Sequence, residues 1–196
     1  MSRGLDVLLA GFLLLLCSPF LLAAALAIRL ESRGPAFFRQ RRVGRDGAPF
    51  ELWKLRTMVP GAEEMGAGIY VLEGDPRITR VGRLLRRVSL DELPNLLNVI
   101  KGDMALVGPR PTIQEQVDRY TERQRRRLEV KPGITGWAQV NGRTSLPWPE
   151  RIELDVWYVD HRSLWLDLRI LGKTVRLLAT GHGLYSEDPR QGWGSG

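Results

Sequence analysis

The chain has 196 residues, with 29 Lys and Arg against 22 Asp and Glu, for a formal net charge of +7. That length suits one folded domain plus an N-terminal segment, and the cationic surplus favours polyanions (nucleic acid, anionic lipid headgroups or phosphorylated substrates) without choosing among them. A single cysteine, Cys17, and two histidines, His161 and His182, exclude a disulfide framework and a Cys/His zinc site and leave a His-centred triad little room.

The first element is an uncharged run of 22 residues, Val7 to Ile28. As one helix it would reach roughly 33 Å, enough to span a bilayer. Ser18-Pro19 stands near its middle, where a proline removes a backbone hydrogen bond and bends or breaks a helix, while a neighbouring serine can satisfy the freed group. Both flanks are basic, with Arg3 on one side and Arg29, Arg33, Arg39, Arg41 and Arg42 on the other. Positive flanks mark cytoplasmic ends, so the segment reads as a re-entrant hairpin that enters and leaves the same face. A straight bitopic helix and a cleaved signal peptide with Ala23-Ala24-Ala25 at its cleavage site are the competing readings.

Phe37 to Arg42 and Phe50 to Leu55 flank Gly44-Arg45-Asp46-Gly47, which predicts a β-hairpin with an Asp-Gly turn. Gly and Pro residues between Pro60 and Gly74 predict a loop. Ile78 to Arg87 reads as a basic helix and Leu93 to Ile100 as a short buried one. Ile113, Val117, Tyr120 and Leu128 form a thin apolar stripe on a polar helix ending in Arg125-Arg126-Arg127. Lys131 to Gly142 reads as irregular β structure with an Asn141-Gly142 turn. In the last long helix Leu164, Leu168, Leu171, Val175 and Leu178 share one face, expected to be core, with a membrane interface as the alternative.

The chemistry concentrates at Ser89-Leu90-Asp91-Glu92-Leu93-Pro94, just after Arg83, Arg86 and Arg87. Adjacent helical side chains diverge by about 100°, so Asp91 and Glu92 suit two different tasks better than one shared proton. With Asp91 as the N-cap, Pro94 falls where its missing N–H costs little, and Asp91 stands at a positive helix end suited to phosphate or metal. The bland reading is a capping Asp91 and a solvated Glu92. Against it, Arg83 and Arg86 could hold diphosphate oxygens, and a carboxylate attacking phosphorus can split a transfer into two steps.

Four motifs in order carry a resemblance: Trp53 to Met58 (WKLRTM), Ser89 to Pro94 (SLDELP), Gly102 to Pro111 (GDMALVGPRP) and Lys131 to Arg143 (KPGITGWAQVNGR). They resemble the bacterial sugar transferases known as monotopic phosphoglycosyl transferases, over nearly the whole chain and in the short form without extra N-terminal membrane helices. The resemblance implies transfer of a sugar-1-phosphate from a UDP-sugar to polyprenyl (undecaprenyl) phosphate, with release of UMP. It implies Asp91 as nucleophile and Mg²⁺ contact, Glu92 as its dyad partner, and Lys54, Arg86 and Arg110 as basic substrate-binding positions. It also implies Ser18-Pro19 as the helix break, and a place at the cytoplasmic face of the inner membrane.

The expected fold is α+β and mostly helical: a re-entrant membrane helix-break-helix over 1–32, a catalytic domain with interfacial amphipathic helices and a small β-hairpin over 33–180, and a flexible tail over 181–196. A membrane-tethered nucleic-acid binder is the alternative from another class, motivated by Arg123, Arg125, Arg126 and Arg127, but no helix-turn-helix, RNP or zinc-finger pattern accompanies them. A non-catalytic scaffold predicts no consequence of replacing Asp91 beyond a capping loss. No P-loop supports a kinase. The reading therefore expects no nucleic-acid partner, and it fixes neither the sugar donor nor the oligomeric state.

Overall fold

A computed structural model of the chain describes residues 1–66, 71, 74–142 and 146–180, apart from the side chains of 179 and 180. The expected tail over 181–196 and much of the loop before Gly74 lie outside the described residues.

Helix α1 (Arg3–Glu31) is helical throughout, Ser18 and Pro19 included, rather than interrupted by a non-helical segment. Pro19 has no N–H for the carbonyl four residues back, Leu15, and the Ser18 hydroxyl donates to that oxygen at 2.8 Å instead. The middle of the helix is bare, with Phe12, Leu15, Leu16, Phe20 and Leu22 all exposed. Its two ends are not. Near the N-terminus Ala10 packs with Leu52, Leu96, Val99 and Met104, the Asp6 carboxylate accepts from the Leu106 N–H, and Arg3 donates to the Ile100 carbonyl. Near the C-terminus Ala24 and Ile28 pack with Ala36, Leu55 and Leu85. Each buried aliphatic side chain of this size contributes about 1.5–3 kcal/mol, so both ends are held to the same domain.

Strands β1 (Phe37–Val43) and β2 (Pro49–Leu55) pair antiparallel, with Phe38 opposite Lys54 and Arg42 opposite Phe50. The predicted turn is present: Asp46 and Gly47 both have positive φ, 55° and 80°, and the Ala48 N–H donates to the Arg45 carbonyl. Two successive left-handed residues give the twist that a tight hairpin needs. Phe38, Gln40 and Arg42 alternate with exposed neighbours and form the inward face of β1.

Helix α2 (Arg80–Arg87) is capped by the Thr79 hydroxyl, and α3 (Asn95–Lys101) follows a single helical turn over Leu90–Glu92. Pro94, not Asp91, occupies the position before α3, so the expected N-cap role of Asp91 is corrected: Asp91 sits in the preceding turn. Short strands β3 (Ala105–Val107) and β4 (Gly133–Thr135) pair in parallel. Beyond β4 the expected irregular β structure is instead helix α6 (Trp137–Asn141). The single polar helix expected around Val117 is also divided, into α4 (Gln114–Val117), α5 (Glu122–Arg125) and a turn over Arg126–Glu129. Thr121 divides it by forming a capping box with Gln124, which starts a new helix where the apolar periodicity runs on.

Helices α7 (Trp148–His161) and α8 (Leu164–Thr180) close the domain. The core expectation for the α8 stripe is overturned for Leu164, Leu168, Val175 and Leu178, which are exposed, while Leu171 packs partly against the core. The inward residues are Leu166, Asp167 and Ile170, and there Asp167 accepts a hydrogen bond from the Tyr158 hydroxyl at 2.7 Å and pairs with the N-terminal amine.

Candidate active site

Three segments converge on Asp91 and Glu92. The first is the hairpin, whose β2 carries Lys54 and runs on to Thr57. The second is α2, which carries Arg86. The third is the loop after β3, which carries Arg110.

Close backbone contact places the second and third. Thr79 N–H donates to the Thr57 carbonyl, and a Cβ built on Gly82 would lie 2.0 Å from that same oxygen, so α2 can seat on the end of the hairpin only with glycine there. From this seat Arg86 Nε donates to Thr57 Oγ1 at 2.8 Å. The Arg110 loop is fixed by glycines too: Gly108 N–H donates to Thr135 and Gly133 N–H to Pro109, each at 2.9 Å, and Cβ atoms on Gly108, Gly133 or Gly136 would strike the facing backbone at 2.4, 2.1 and 2.1 Å. The two Gly/Pro-rich motifs are thus a single interlocked unit. Arg127, buried against Asp155, donates to the Arg110 carbonyl at 2.9 Å and holds the loop from behind.

Ser89 enters the turn that carries Asp91 and Glu92 with φ 56°, a left-handed conformation for a residue with a Cβ. The chain reverses there and presents the two carboxylates to different surroundings. Glu92 Oε1 accepts from Lys54 Nζ at 3.0 Å and from Arg110 Nη2 at 2.6 Å, while Oε2 accepts from Arg110 Nη1 at 3.4 Å. Burial works to raise the Glu92 carboxyl, but the Arg110 and Lys54 charges and hydrogen bonds together hold it well below the usual carboxylate range. Asp91 is only 8 % exposed, and among the described residues its carboxylate has no hydrogen-bond or ion-pair partner. Burial first, and the Glu92 charge second, push its carboxyl up against the opposing Lys54, Arg86 and Arg110 charges. Burial likewise pushes Lys54 down, against Glu92.

One carboxylate is therefore committed to two cations, and the other is unengaged, nearly dry and ringed by positive charge. The second is chemically a nucleophile or a cation ligand. Among the described residues no three His, Cys, Asp or Glu side chains cluster. A divalent ion at Asp91 would have to complete its shell with substrate oxygens and water, as Mg²⁺ at phosphate sites does; Asp91 offers it one unpartnered carboxylate, and the surrounding Lys54, Arg86 and Arg110 charges favour the ion only together with an anionic substrate.

Of the residues expected from the sequence, the structure brings Lys54, Arg86, Asp91, Glu92 and Arg110 together. It does not bring Arg83, which is exposed and pairs with neither carboxylate. Ser18 and Pro19 lie in the exposed middle of α1, outside this cluster. Sequence reasoning missed Thr57, which orients Arg86, and Arg42, on the inward hairpin face beside Arg110. Strand alternation from Lys54 through the hairpin was the signal that could have found Arg42.

A model of the family described as bacterial sugar transferase matches residues 1–181. The chain is 48% identical over 184 residues to an uncharacterized sugar transferase, EpsL, of Bacillus subtilis (strain 168), covering 94% of this chain and 90% of that one. It is 48% identical over 193 residues to a UDP-glucose:undecaprenyl-phosphate glucose-1-phosphate transferase of Caulobacter vibrioides, covering 94% and 72%. It is 44% identical over 188 residues to a UDP-N-acetylgalactosamine-undecaprenyl-phosphate N-acetylgalactosaminephosphotransferase of Aeromonas hydrophila, covering 93% of this chain but 44% of that one.

Proposed function

The chain belongs to the bacterial sugar transferase family, and from that membership and the Asp91 site we propose that it transfers a sugar-1-phosphate from a UDP-sugar to undecaprenyl phosphate in two steps, releasing UMP. The observation that carries the reading is the asymmetry of the dyad. Glu92 is held by Lys54 and Arg110, whereas Asp91 is unpartnered and buried.

In the first step an Asp91 carboxylate oxygen attacks the sugar-bearing phosphorus. The bond from that phosphorus to the bridging oxygen breaks, the electron pair leaves with UMP, and an acyl phosphate remains on Asp91. In the second, a phosphate oxygen of the lipid attacks the same phosphorus and expels the Asp91 carboxylate. Lys54, Arg86 and Arg110 stabilise the equatorial oxygens in both steps, and the partial burial of Lys54 and Arg86 strengthens their interactions. Glu92 fixes where two of these cations stand. Mg²⁺ bound at Asp91 would supply charge neutralisation to the leaving phosphate.

The membrane arrangement we propose is supported by α1. Both of its ends pack on one domain while its apolar middle is bare. A helix that crossed a bilayer would deliver its ends to opposite sides, so two ends held on one domain support a helix that enters and leaves by the same face, with Ser18-Pro19 as the place for a bend and the basic flanks favouring the cytoplasmic side. The exposed α8 residues Leu164, Trp165, Leu168 and Val175 suit the headgroup level of the same leaflet. The arginine cluster that motivated a nucleic-acid partner is largely spent within the fold: Arg123 pairs with Glu153, Arg126 with Glu129 and Asp160, and Arg127 with Asp155.

The test is to mix detergent-solubilised protein, Mg²⁺ and a panel of UDP-sugars without lipid acceptor, and to read UMP and intact-protein mass. Stoichiometric UMP with a phosphosugar adduct, absent in Asp91→Asn, is expected. UMP release that begins only when polyprenyl phosphate is added, with no adduct, would replace the two-step mechanism by a ternary complex.

A further inference from the structure

Arg42 is a half-buried cation that forms no ion pair among the described residues. On the inward hairpin face it shares a side with Lys54, since Arg42 lies opposite Phe50 and Lys54 opposite Phe38, and directly paired residues project from the same face. The next residue, Val43, bridges to Thr112, two residues after Arg110, so the strand and the Arg110 loop are hydrogen-bonded side by side. Among the described residues Arg42 forms no salt bridge. Its one hydrogen bond runs from Nη2 to Gln40 Oε1, and its Nε is buried without a partner. Gln40 is itself fixed, donating to Glu63 Oε1 at 2.6 Å, so the Arg42 guanidinium is aimed rather than loose.

The charge balance is incomplete without a ligand. Burial and the neighbouring Arg110 lower Arg42 to about 10, despite Glu63, Glu92 and Glu115. Burial and Arg110 also lower Arg151. Arg42 and Arg151 are therefore each crowded by Arg110. Of the carboxylates that act on Arg42, Glu63 is engaged by Gln40, Glu92 is already shared by Lys54 and Arg110, and Glu115 acts least and forms no ion pair with it among the described residues. Like charges are held together in a partly dry site when an anion arrives between them.

We propose that Arg42, aimed by Gln40 and acting beside Arg110, binds a second phosphate group next to the one attacked at Asp91. The proposal deepens the activity set out above and rests on it. Two substrates carry such a group: the leaving nucleotide, whose phosphate departs from the attacked phosphorus, and the lipid acceptor, whose phosphate approaches it.

The probe is inorganic diphosphate, titrated by calorimetry into the detergent-solubilised full chain, with Arg42→Met beside the wild type. Loss of one charge-assisted contact is expected to weaken binding about tenfold or more. Equal affinity, or no binding to wild type, overturns the proposal. Kinetics then separate the sources: a tenfold rise in the UDP-sugar concentration giving half-maximal adduct assigns the nucleotide phosphate, and a rise confined to polyprenyl phosphate assigns the lipid. A wild type that binds diphosphate through Arg42 yet turns over no UDP-sugar would sink the activity and leave the anion site standing. Should Arg42→Met fail to fold, Gln40→Leu serves, since it keeps the guanidinium but frees it; unchanged diphosphate affinity in that variant overturns the proposal as well.

Discussion

Glu31, the last residue of the apolar helix, accepts hydrogen bonds from the backbone N–H of Arg80 at 2.7 Å and of Val81 at 3.1 Å. The end of the membrane segment thereby caps the helix that carries Arg86. A carboxylate at a helix N-terminus satisfies orphan donors and complements the helix dipole. The end of the apolar helix and the helix that carries Arg86 are tied through this side chain and through the packing of Ile28 with Leu85.

Glu31→Ala is expected to cost about 0.5–2 kcal/mol, the range for losing a helix cap. Because α2 loosens, donor KM should rise while the melting temperature falls only slightly. A fall in stability with KM unchanged would show that Arg86 is held by Thr57 alone.

Glu92→Gln removes the charge that anchors Lys54 and Arg110 but leaves Asp91 in place. Adduct formation should persist at a rate about 10- to 100-fold lower, the effect of weakening charge-assisted bonds worth about 1.5–3 kcal/mol. Rapid-quench measurement of the adduct checks this; complete loss, as expected for Asp91→Asn, would make Glu92 a participant in the chemistry itself.

Gly82→Ala inserts a methyl group 2.0 Å from the Thr57 carbonyl oxygen. Helix α2 must back away, which costs about 1–3 kcal/mol for an overpacked contact. Thermal unfolding and kcat/KM should both fall. The reverse outcome, full activity in a stable variant, would mean that Arg86 does not need its Thr57 partner.

Arg127→Met isolates Asp155, whose carboxyl burial already lifts to about 6 against the lowering effect of Arg127. A carboxyl raised in the folded state keeps a proton that the unfolded chain releases near pH 4. Stability therefore falls as pH rises from there through the folded value and levels off above it. Without Arg127 that folded value climbs further, so the deficit relative to wild type should widen between pH 6 and pH 8 and reach about 3–5 kcal/mol. Urea unfolding at the two pH values measures it, and a deficit that does not change with pH would show that packing, not charge, is what Arg127 supplies.

The sequence by itself determined the local features. The Asp46-Gly47 turn, the exposed apolar run of α1 and the basic helix before Asp91 were legible because each depends on neighbours in the chain: positive φ at a tight turn, hydropathy over consecutive residues, a capping hydroxyl at Thr79. The motifs also named Asp91, Glu92, Lys54, Arg86 and Arg110 as one group. Only the tertiary structure decided how that group divides its work. Which carboxylate is paired depends on where Lys54 and Arg110 arrive from, 38 and 18 residues away from Glu92 along the chain, and no periodicity encodes that. The same holds for α8, where Asp167 turns inward with Leu166 and Ile170 while most of the leucine stripe faces out, and for Arg42, whose meaning comes from an antiparallel register and a neighbouring loop. Local structure is set by short-range sterics and hydrogen bonding; the charge that each side chain feels is set by whatever the fold brings beside it.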